Sequence, residues 1–174
     1  GVAWAARELG VPCTVTVPDY APETKVSAME RLGARVLKAP FDEWWNAIEE
    51  SRVKAETEAI RALALPAEDG IGETELAIDA RYSLAMEDLM EAHGLAALAV
   101  RCWPELPDAV GQWPYLAMAR LASAHKAVAL EGDADGALCS LVSEEIGAGA
   151  AFLTDWLAHD EHTITAWHPG MAPF

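Results

Sequence analysis

The sequence lacks any long uninterrupted hydrophobic run. No segment approaches the roughly 20 uncharged apolar residues that a membrane-spanning helix requires. The opening stretch, GVAWAARELG, has no basic region ahead of its apolar residues and carries Arg7 and Glu8 among them, unlike a secretory signal. These absences predict a soluble protein that has no secretory signal and does not bind a membrane.

Cysteine is also scarce. The three cysteines, Cys13, Cys102 and Cys139, are odd in number and include no CxxC pair. This spacing argues against both a disulfide framework and a zinc site built from cysteines. We therefore expect the reducing environment of the cytoplasm.

Positive charge is sparse in the C-terminal part of the chain. Residues 1–48 hold five Lys or Arg against six Asp or Glu, whereas the remainder holds seven against 22, and the net charge is −16. A chain with this charge would repel a phosphate backbone, so nucleic acid is not an expected partner. An acidic, solvated surface explains most such sequences, although carboxylates gathered around a divalent cation would contribute to the same excess.

The hydrophobic content is nevertheless sufficient for a buried core. With 174 residues and 52% hydrophobic content, the chain can form one ordinary domain or two small ones. Residues 1–48 form the first predicted domain and 49–174 the second. The first has an αβαβ order that is typical of a parallel sheet. Its predicted elements are a helix that ends at Gly10, a strand at 12–18, a helix at 22–33 and a strand at 35–39.

The second domain is predicted to be an α/β unit with a mixed sheet, which places the whole chain in the α/β class. A helix-prone stretch over residues 44–61 precedes a loop over 66–75, where Gly, Pro and acidic residues interrupt the periodicity. The later predicted elements are a helix ending at His93 and Gly94, a buried strand at 95–100, a helix at about 115–124, a strand at 127–130, a helix whose apolar positions run from 138 to 146, and two strands at 151–158 and 163–168 that pair through the turn HDEH.

Three side chains capable of acid–base or metal chemistry follow predicted strands. Glu105 follows LAALAV, Asp133 follows AVAL, and His168 follows TITAW. Ligands of open α/β sheets bind beyond the carboxyl ends of the strands, and two carboxylates with an imidazole suit a divalent metal. The pattern alone also allows simpler roles, because a carboxylate between a strand and a helix is commonly a helix cap and a histidine before proline is commonly an ordinary loop residue.

The sequence motifs around these residues resemble those of a known family. From about residue 49 to 174 the chain resembles the C-terminal region of metal-dependent aldose–ketose isomerases of the L-fucose/L-arabinose isomerase type. The segments that carry the resemblance, in order, are AVRCWPEL at 99–106, GQWPYLAMARL, LEGDADGAL at 130–138, AFLTDW, and AWHPGMAP at 166–173.

This resemblance implies a sugar substrate and a set of site residues. Glu105 and Asp133 would be metal ligands that also serve as the catalytic proton-transfer pair, with His168 as the third ligand and Mn²⁺ as the usual metal. Glu131 is the main competitor of Glu105 because it lies two residues from Asp133. The chain departs from the family pattern at Pro169, where cysteine is usual. Enzymes of this class are several hundred residues long, so the resemblance covers only part of them.

A second resemblance covers about residues 1–45. This segment resembles the small-domain part of fold-type II pyridoxal-phosphate enzymes of the threonine dehydratase/serine racemase kind, through GVAWAARELG and VPDYAPETKVSAMERLGARV. Such catalysis needs a Schiff-base lysine and a phosphate cup. Lys25 and Lys38 occupy ordinary structural positions, so bound pyridoxal phosphate is not expected. A lyase or racemase of this kind, or a non-catalytic fusion remnant, is the alternative to an isomerase, and we expect a homo-oligomer because a small α/β unit leaves sheet edges uncovered.

Overall fold

The computed structural model describes residues 2–39, 48–63, 71–168 and 170–174. It confirms the α/β class, since helices alternate with short strands in small sheets. The chain divides into two compact units, Gly1–Glu49 and Glu50–Phe174. The start of the predicted helix at 44–61 and the first half of the predicted loop at 66–75 lie outside the described residues.

The first unit has the predicted αβαβ order. Helix α1 ends where Gly10 adopts a left-handed φ of +67°, and helix α2 begins after Pro22 and buries Val26. Strands β1 and β2 run parallel, with Thr14 opposite Arg35 and Pro18 opposite Ala39. The four elements are α1 at Val2–Leu9, β1 at Thr14–Pro18, α2 at Glu23–Arg31 and β2 at Arg35–Ala39.

Two long helices open the second unit and pack against each other. Helix α3, Glu50–Leu63, buries side chains at positions 53, 57 and 60, which share one face. Helix α4, Glu73–His93, ends at Gly94 in the left-handed conformation, which confirms the predicted stop. The predicted loop extended too far at its C-terminal end, because residues 73–75 form the first turn of α4. Acidic side chains in that turn interact favourably with the helix dipole. No helix in the described part of the chain has the length and hydropathy of a bilayer-spanning segment.

The centre of the second unit is a parallel pair of short strands covered by helices. Strand β3, Ala97–Ala99, pairs with strand β4, Ala127–Ala129, through the register Ala97 to Ala127. The prediction of a buried strand at 95–100 was wrong in length and burial, since β3 is half-buried whereas β4 is buried throughout. Three helices complete this region: α5 at Glu105–Val110, α6 at Tyr115–Ser123 and α7 at Ala134–Glu145.

Helix α7 packs through a different face from the one that its apolar periodicity indicates. Leu138, Val142 and Ile146 are 44%, 48% and 73% exposed, whereas Ala137 and Ser140 are buried. The reason is the close approach of α7 to the strands: a Cβ on Gly136 would lie 3.4 Å from Cβ of Ala129. At that separation only small side chains fit between the helix and the sheet.

The chain ends in an antiparallel hairpin, as the two final apolar segments predicted. Strand β5, Asp155–His159, pairs with strand β6, Ile164–Trp167. The turn is held by Asp160, whose carboxylate accepts hydrogen bonds of 2.7 Å from the backbone N–H groups of His162 and Thr163. Every residue of both strands is exposed. This antiparallel pair and the two parallel pairs lie in separate two-stranded sheets.

Candidate functional site

The loops after β3 and β4 lie side by side because the two strands are parallel. The N–H of Val100 donates to the carbonyl of Ala129 at 2.8 Å, and the N–H of Gly132 donates to the carbonyl of Val100 at 2.8 Å. The N–H of Glu131 donates to Sγ of Cys102, a buried thiol whose pKa is raised mainly by its burial. These contacts join the segment before Glu105 to the segment before Asp133.

Glu105 is the first residue of helix α5. Its Oε1 lies 2.8 Å from Nη2 of Arg101, and both side chains are partly exposed, so the ion pair contributes little to stability. Its other oxygen, Oε2, is buried and has no hydrogen-bond partner. Buried polar atoms are normally paired, so this oxygen is an acceptor left available to a ligand or a water molecule.

Asp133 caps helix α7. Its Oδ1 accepts a hydrogen bond of 3.0 Å from the N–H of Gly136, which confirms the simpler role considered for this residue. The glycine is needed at this distance, because a Cβ at position 136 would lie 2.9 Å from Oδ2 of Asp133. The role of Asp133 as a metal ligand or proton carrier stays a prediction.

His168 directly follows β6 and is buried, with 7% of its surface exposed. Its Nε2 lies 3.8 Å from Oε1 of Glu131, the carboxylate that competes with Glu105 in the sequence. Glu131 has a φ of +60°, which is uncommon for a residue with a side chain. The structure therefore brings the segment after β6 to the loop after β4 through Glu131.

Three aromatic rings lie beside these loops, in two of the segments that resemble sugar isomerases, and no role was predicted for them. Trp103 stacks on Trp113 with ring centroids 5.0 Å apart, and Trp113 stacks on Tyr115 at 5.2 Å. Tyr115 also contacts the segment after His168, because a Cβ on Gly170 would lie 2.5 Å from Cβ of Tyr115. We call Trp103, Trp113 and Tyr115 the aromatic stack. Its only sequence signal is a tryptophan followed by proline at 103–104 and again at 113–114.

A buried carboxylate supports the segment that carries this stack. Asp79 in α4 is 5% exposed and accepts a hydrogen bond of 2.7 Å from Nε2 of Gln112, next to Trp113. Burial raises the pKa of Asp79 to about 6, and hydrogen bonds from the backbone of Ala117 and from Gln112 oppose that rise more weakly. The hydroxyl of Tyr82 donates to the carbonyl of Gln112 at 3.0 Å. Sequence reasoning missed Asp79, since nothing in a helical pattern shows what a polar position faces.

The fit of Glu105, Asp133 and His168 to a metal ion depends on their donor atoms and on how close together they lie. The available oxygen of Glu105 would suit a cation, and the oxygen and nitrogen donors are of the types that Mn²⁺ accepts. However, the described residues contain no group of three or more His, Cys, Asp or Glu side chains placed to hold a metal ion. Glu105, Asp133 and His168 thus do not form a three-ligand site in this arrangement.

The fold and these loops define an α/β chain with carboxylates and an imidazole beyond the carboxyl ends of a parallel strand pair, where such folds bind ligands. No protein-family model matches the chain.

The chain is similar to curated proteins named sulfoquinovose isomerase, a sugar isomerase of the fucose/arabinose isomerase-like kind. It is 36% identical to that of Clostridium sp. (strain MSTE9) over 94 residues, which cover 53% of this chain and 21% of the relative. It is 29% identical to that of Alkalicoccus urumqiensis over 98 residues, which cover 55% and 22%. It is 24% identical to that of Priestia aryabhattai over 143 residues, which cover 79% and 29%. The chain spans less than a third of the length of these relatives.

These similarities confirm the expected likeness to sugar isomerases in its general form. The likeness of residues 1–45 to pyridoxal-phosphate enzymes stays a prediction.

Proposed function

We propose that the chain is a sugar isomerase-like protein of carbohydrate metabolism that takes part in the interconversion of an aldose and its ketose. The similarity to sulfoquinovose isomerases carries this proposal. The geometry supports it as well. The loop that leads to Glu105 meets the loop that holds Glu131 and Asp133, and Glu131 lies beside His168. The proposed substrate is a hexose, with a sulfonated hexose such as sulfoquinovose as the first to be tested.

The reaction requires a proton to move between neighbouring carbons. A base removes the proton from C2 of the aldose, an acid delivers a proton to C1, and the hydroxyl proton on O2 passes to O1, so that atoms and charge balance. We propose Glu105 and Asp133 as the pair that performs these carbon transfers, because carboxylates are common general bases. Because the buried Oε2 of Glu105 has no hydrogen-bond partner, it is the oxygen that accepts the proton, and Oε1 of the neutral carboxyl group can still accept a hydrogen bond from Arg101.

Activity measured on single variants tests this assignment. The chain would be incubated with sulfoquinovose and MnCl₂, and formation of the ketose followed by NMR. Glu105→Gln and Asp133→Asn should each lower turnover by at least about a hundredfold, the usual contribution of a positioned acid or base. Asparagine also caps helices, so Asp133→Asn should preserve α7. Asp135→Asn, at an exposed position of the same helix, is the matched control.

Unchanged turnover in Glu105→Gln or Asp133→Asn would remove that residue from the proton-transfer pair.

We also propose that Mn²⁺ binds here through Glu105, Asp133 and His168. A bound divalent cation would polarise the carbonyl of the sugar and its neighbouring hydroxyl. Because these side chains do not form a three-ligand group, binding requires at least one of them to leave its present contacts. Thermal unfolding with and without MnCl₂ detects binding through its effect on stability, without relying on turnover.

The unfolding midpoint should rise with Mn²⁺ in the wild-type chain and in His162→Gln, an exposed control in the hairpin turn, but not in His168→Gln. A folded wild-type chain that shows no shift would contradict the metal part of the proposal and leave the sugar-binding part open to the activity test.

A non-catalytic module that associates with other subunits is the second candidate. The absence of a three-ligand group from the described residues favours it, as does the exposed apolar surface of the terminal hairpin. Trp156, Leu157, Ile164 and Trp167 are 55% to 64% exposed there, and an isolated two-stranded hairpin is only marginally stable in water. We propose a homo-oligomer that covers this surface. Turnover of a sugar by the chain would exclude a purely non-catalytic role.

A further inference from the structure

The outer ring of the aromatic stack is exposed beside the proposed catalytic loop. Trp103 is 56% exposed and lies two residues before Glu105, whereas Trp113 is 39% exposed and Tyr115 is half-buried. The planes of the two indoles differ by 11° and those of Trp113 and Tyr115 by 22°. Since Trp113 covers one face of Trp103, the opposite face is the one available to another molecule.

Contacts with other segments hold the residues on both sides of Trp113. Tyr115 begins α6 and contacts Gly170. The side-chain amide of Gln112 donates a hydrogen bond to Asp79, and the backbone carbonyl of Gln112 accepts one from the hydroxyl of Tyr82. These contacts fix the backbone on both sides of Trp113. A ring that is already ordered loses little side-chain freedom when a ligand stacks on it, so less of the interaction energy is lost on binding.

We propose that the exposed face of Trp103 is a stacking platform for the ring form of a sugar, which rests on the proposed sugar isomerase function. One face of a pyranose ring carries weakly positive C–H groups, and these pack against the electron-rich face of an indole. The hydroxyl groups around the ring edge need hydrogen-bonding partners. The Arg101 guanidinium and the Glu105 carboxylate, on either side of Trp103 in the sequence, supply a donor and an acceptor.

A platform of this kind would select for shape as well as for polarity. A pyranose with an uninterrupted C–H face would stack, whereas an open-chain polyol of the same composition would present no flat face. The platform would therefore bind the ring form of the substrate near the residues that act on the opened chain. Trp103 is in this view a binding residue and not a member of the proton-transfer pair.

Calorimetric titration with sulfoquinovose, and in parallel with D-glucose, tests the platform without relying on turnover. Trp103→Leu, which keeps an apolar side chain and removes the ring, should bind about tenfold more weakly. Trp103→Phe keeps an aromatic face and should lose only about threefold. The matched control is Trp156→Leu, which removes a tryptophan that is 64% exposed in the hairpin and should bind as the wild type does.

The possible results separate this inference from the proposed function. Sugar binding by the wild type that is unchanged in Trp103→Leu would overturn the platform and leave the isomerase proposal standing. Equal losses in Trp103→Leu and Trp103→Phe, or in Trp103→Leu and Trp156→Leu, would show that ring stacking at this position is not the cause. No binding of either sugar by a folded wild-type chain would overturn the platform and count against the isomerase proposal as well.

Discussion

Replacement of the buried carboxylate Asp79 by asparagine should change how stability depends on pH. Asp79 is 5% exposed, its Oδ1 has no hydrogen-bond partner, and its pKa is raised from 3.8 to about 6, chiefly by burial. The folded chain therefore holds this proton more tightly than the unfolded chain does. The resulting stabilisation is complete below about pH 3.8 and is lost as the pH rises through about 6.

The size of the effect follows from the shift. A rise of roughly two pH units corresponds to about 3 kcal/mol between the fully protonated and fully ionised limits. Between about pH 4.5 and pH 7, linkage gives a loss of about 2 kcal/mol in the free energy of unfolding of the wild type. Asp79→Asn has no charge to bury, so the loss should be absent from the variant. Asparagine keeps an oxygen that can accept the hydrogen bond from Gln112.

Urea unfolding of both proteins at several pH values measures this effect. The difference in the free energy of unfolding, wild type minus Asp79→Asn, should fall by about 2 kcal/mol across that range, because the other carboxyl groups titrate in both proteins and cancel. Asp135→Asn, at an exposed position of α7, should give a curve parallel to that of the wild type. A parallel curve for Asp79→Asn would refute the reasoning, since it would mean that burial does not raise this pKa.

Three further predictions concern a glycine contact, a helix cap and the proposed oligomer interface. Gly170→Ala and Gly147→Ala both place a side chain at a φ of +75°, but only the former meets another side chain, at 2.5 Å from Tyr115. Both should lower the free energy of unfolding by about 1 kcal/mol, because the left-handed conformation disfavours a side chain. Gly170→Ala should lower it by about 1–3 kcal/mol more, and equal losses in urea unfolding would contradict the contact with Tyr115. Asp133→Ala should cost about 1 kcal/mol and Asp133→Asn much less, as measured by urea unfolding, because only alanine removes the cap; equal costs would contradict a capping role. Leu157→Ser should reduce the mass measured by light scattering if the hairpin is an oligomer interface, and an unchanged oligomer would exclude that surface.

Local signals were sufficient for much of the fold. The stops at Gly10 and Gly94 were predicted because glycine reaches the left-handed conformation that ends a helix, and both positions adopt it. The alternation of Val and Thr gave β1, and the turn HDEH gave the final hairpin. Each of these features depends on residues close together in the chain, so no knowledge of distant contacts was needed.

Features that depend on distant partners were missed or misread. The apolar positions of α7 located the helix but not its buried face, because the close approach of α7 to the strands selects small residues there instead of Leu138 and Val142. Helix α5 was not predicted, since its six residues are too few to show a period.

The sequence predicted where the two loops meet but not the contacts around them. The parallel strands bring the two loops together as expected, because that follows from sheet topology alone. The contact between Glu131 and His168, the ion pair of Glu105 and the stacking of the three aromatic rings each depend on how separate segments pack. A single sequence carries no direct record of such contacts.

The left-handed backbone at Glu131 also bears on how this loop could be redesigned. Most side chains lose about 1–2 kcal/mol in that conformation, whereas Gly, Asn and Asp tolerate it. A library that randomises residues 130–133 would therefore recover few β-branched residues at position 131, whatever ligand was used for selection. Glycine and asparagine should be enriched when only folding is selected. Retention of glutamate in a selection for function would then reveal a requirement for its carboxylate beside His168, separate from any demand of the backbone.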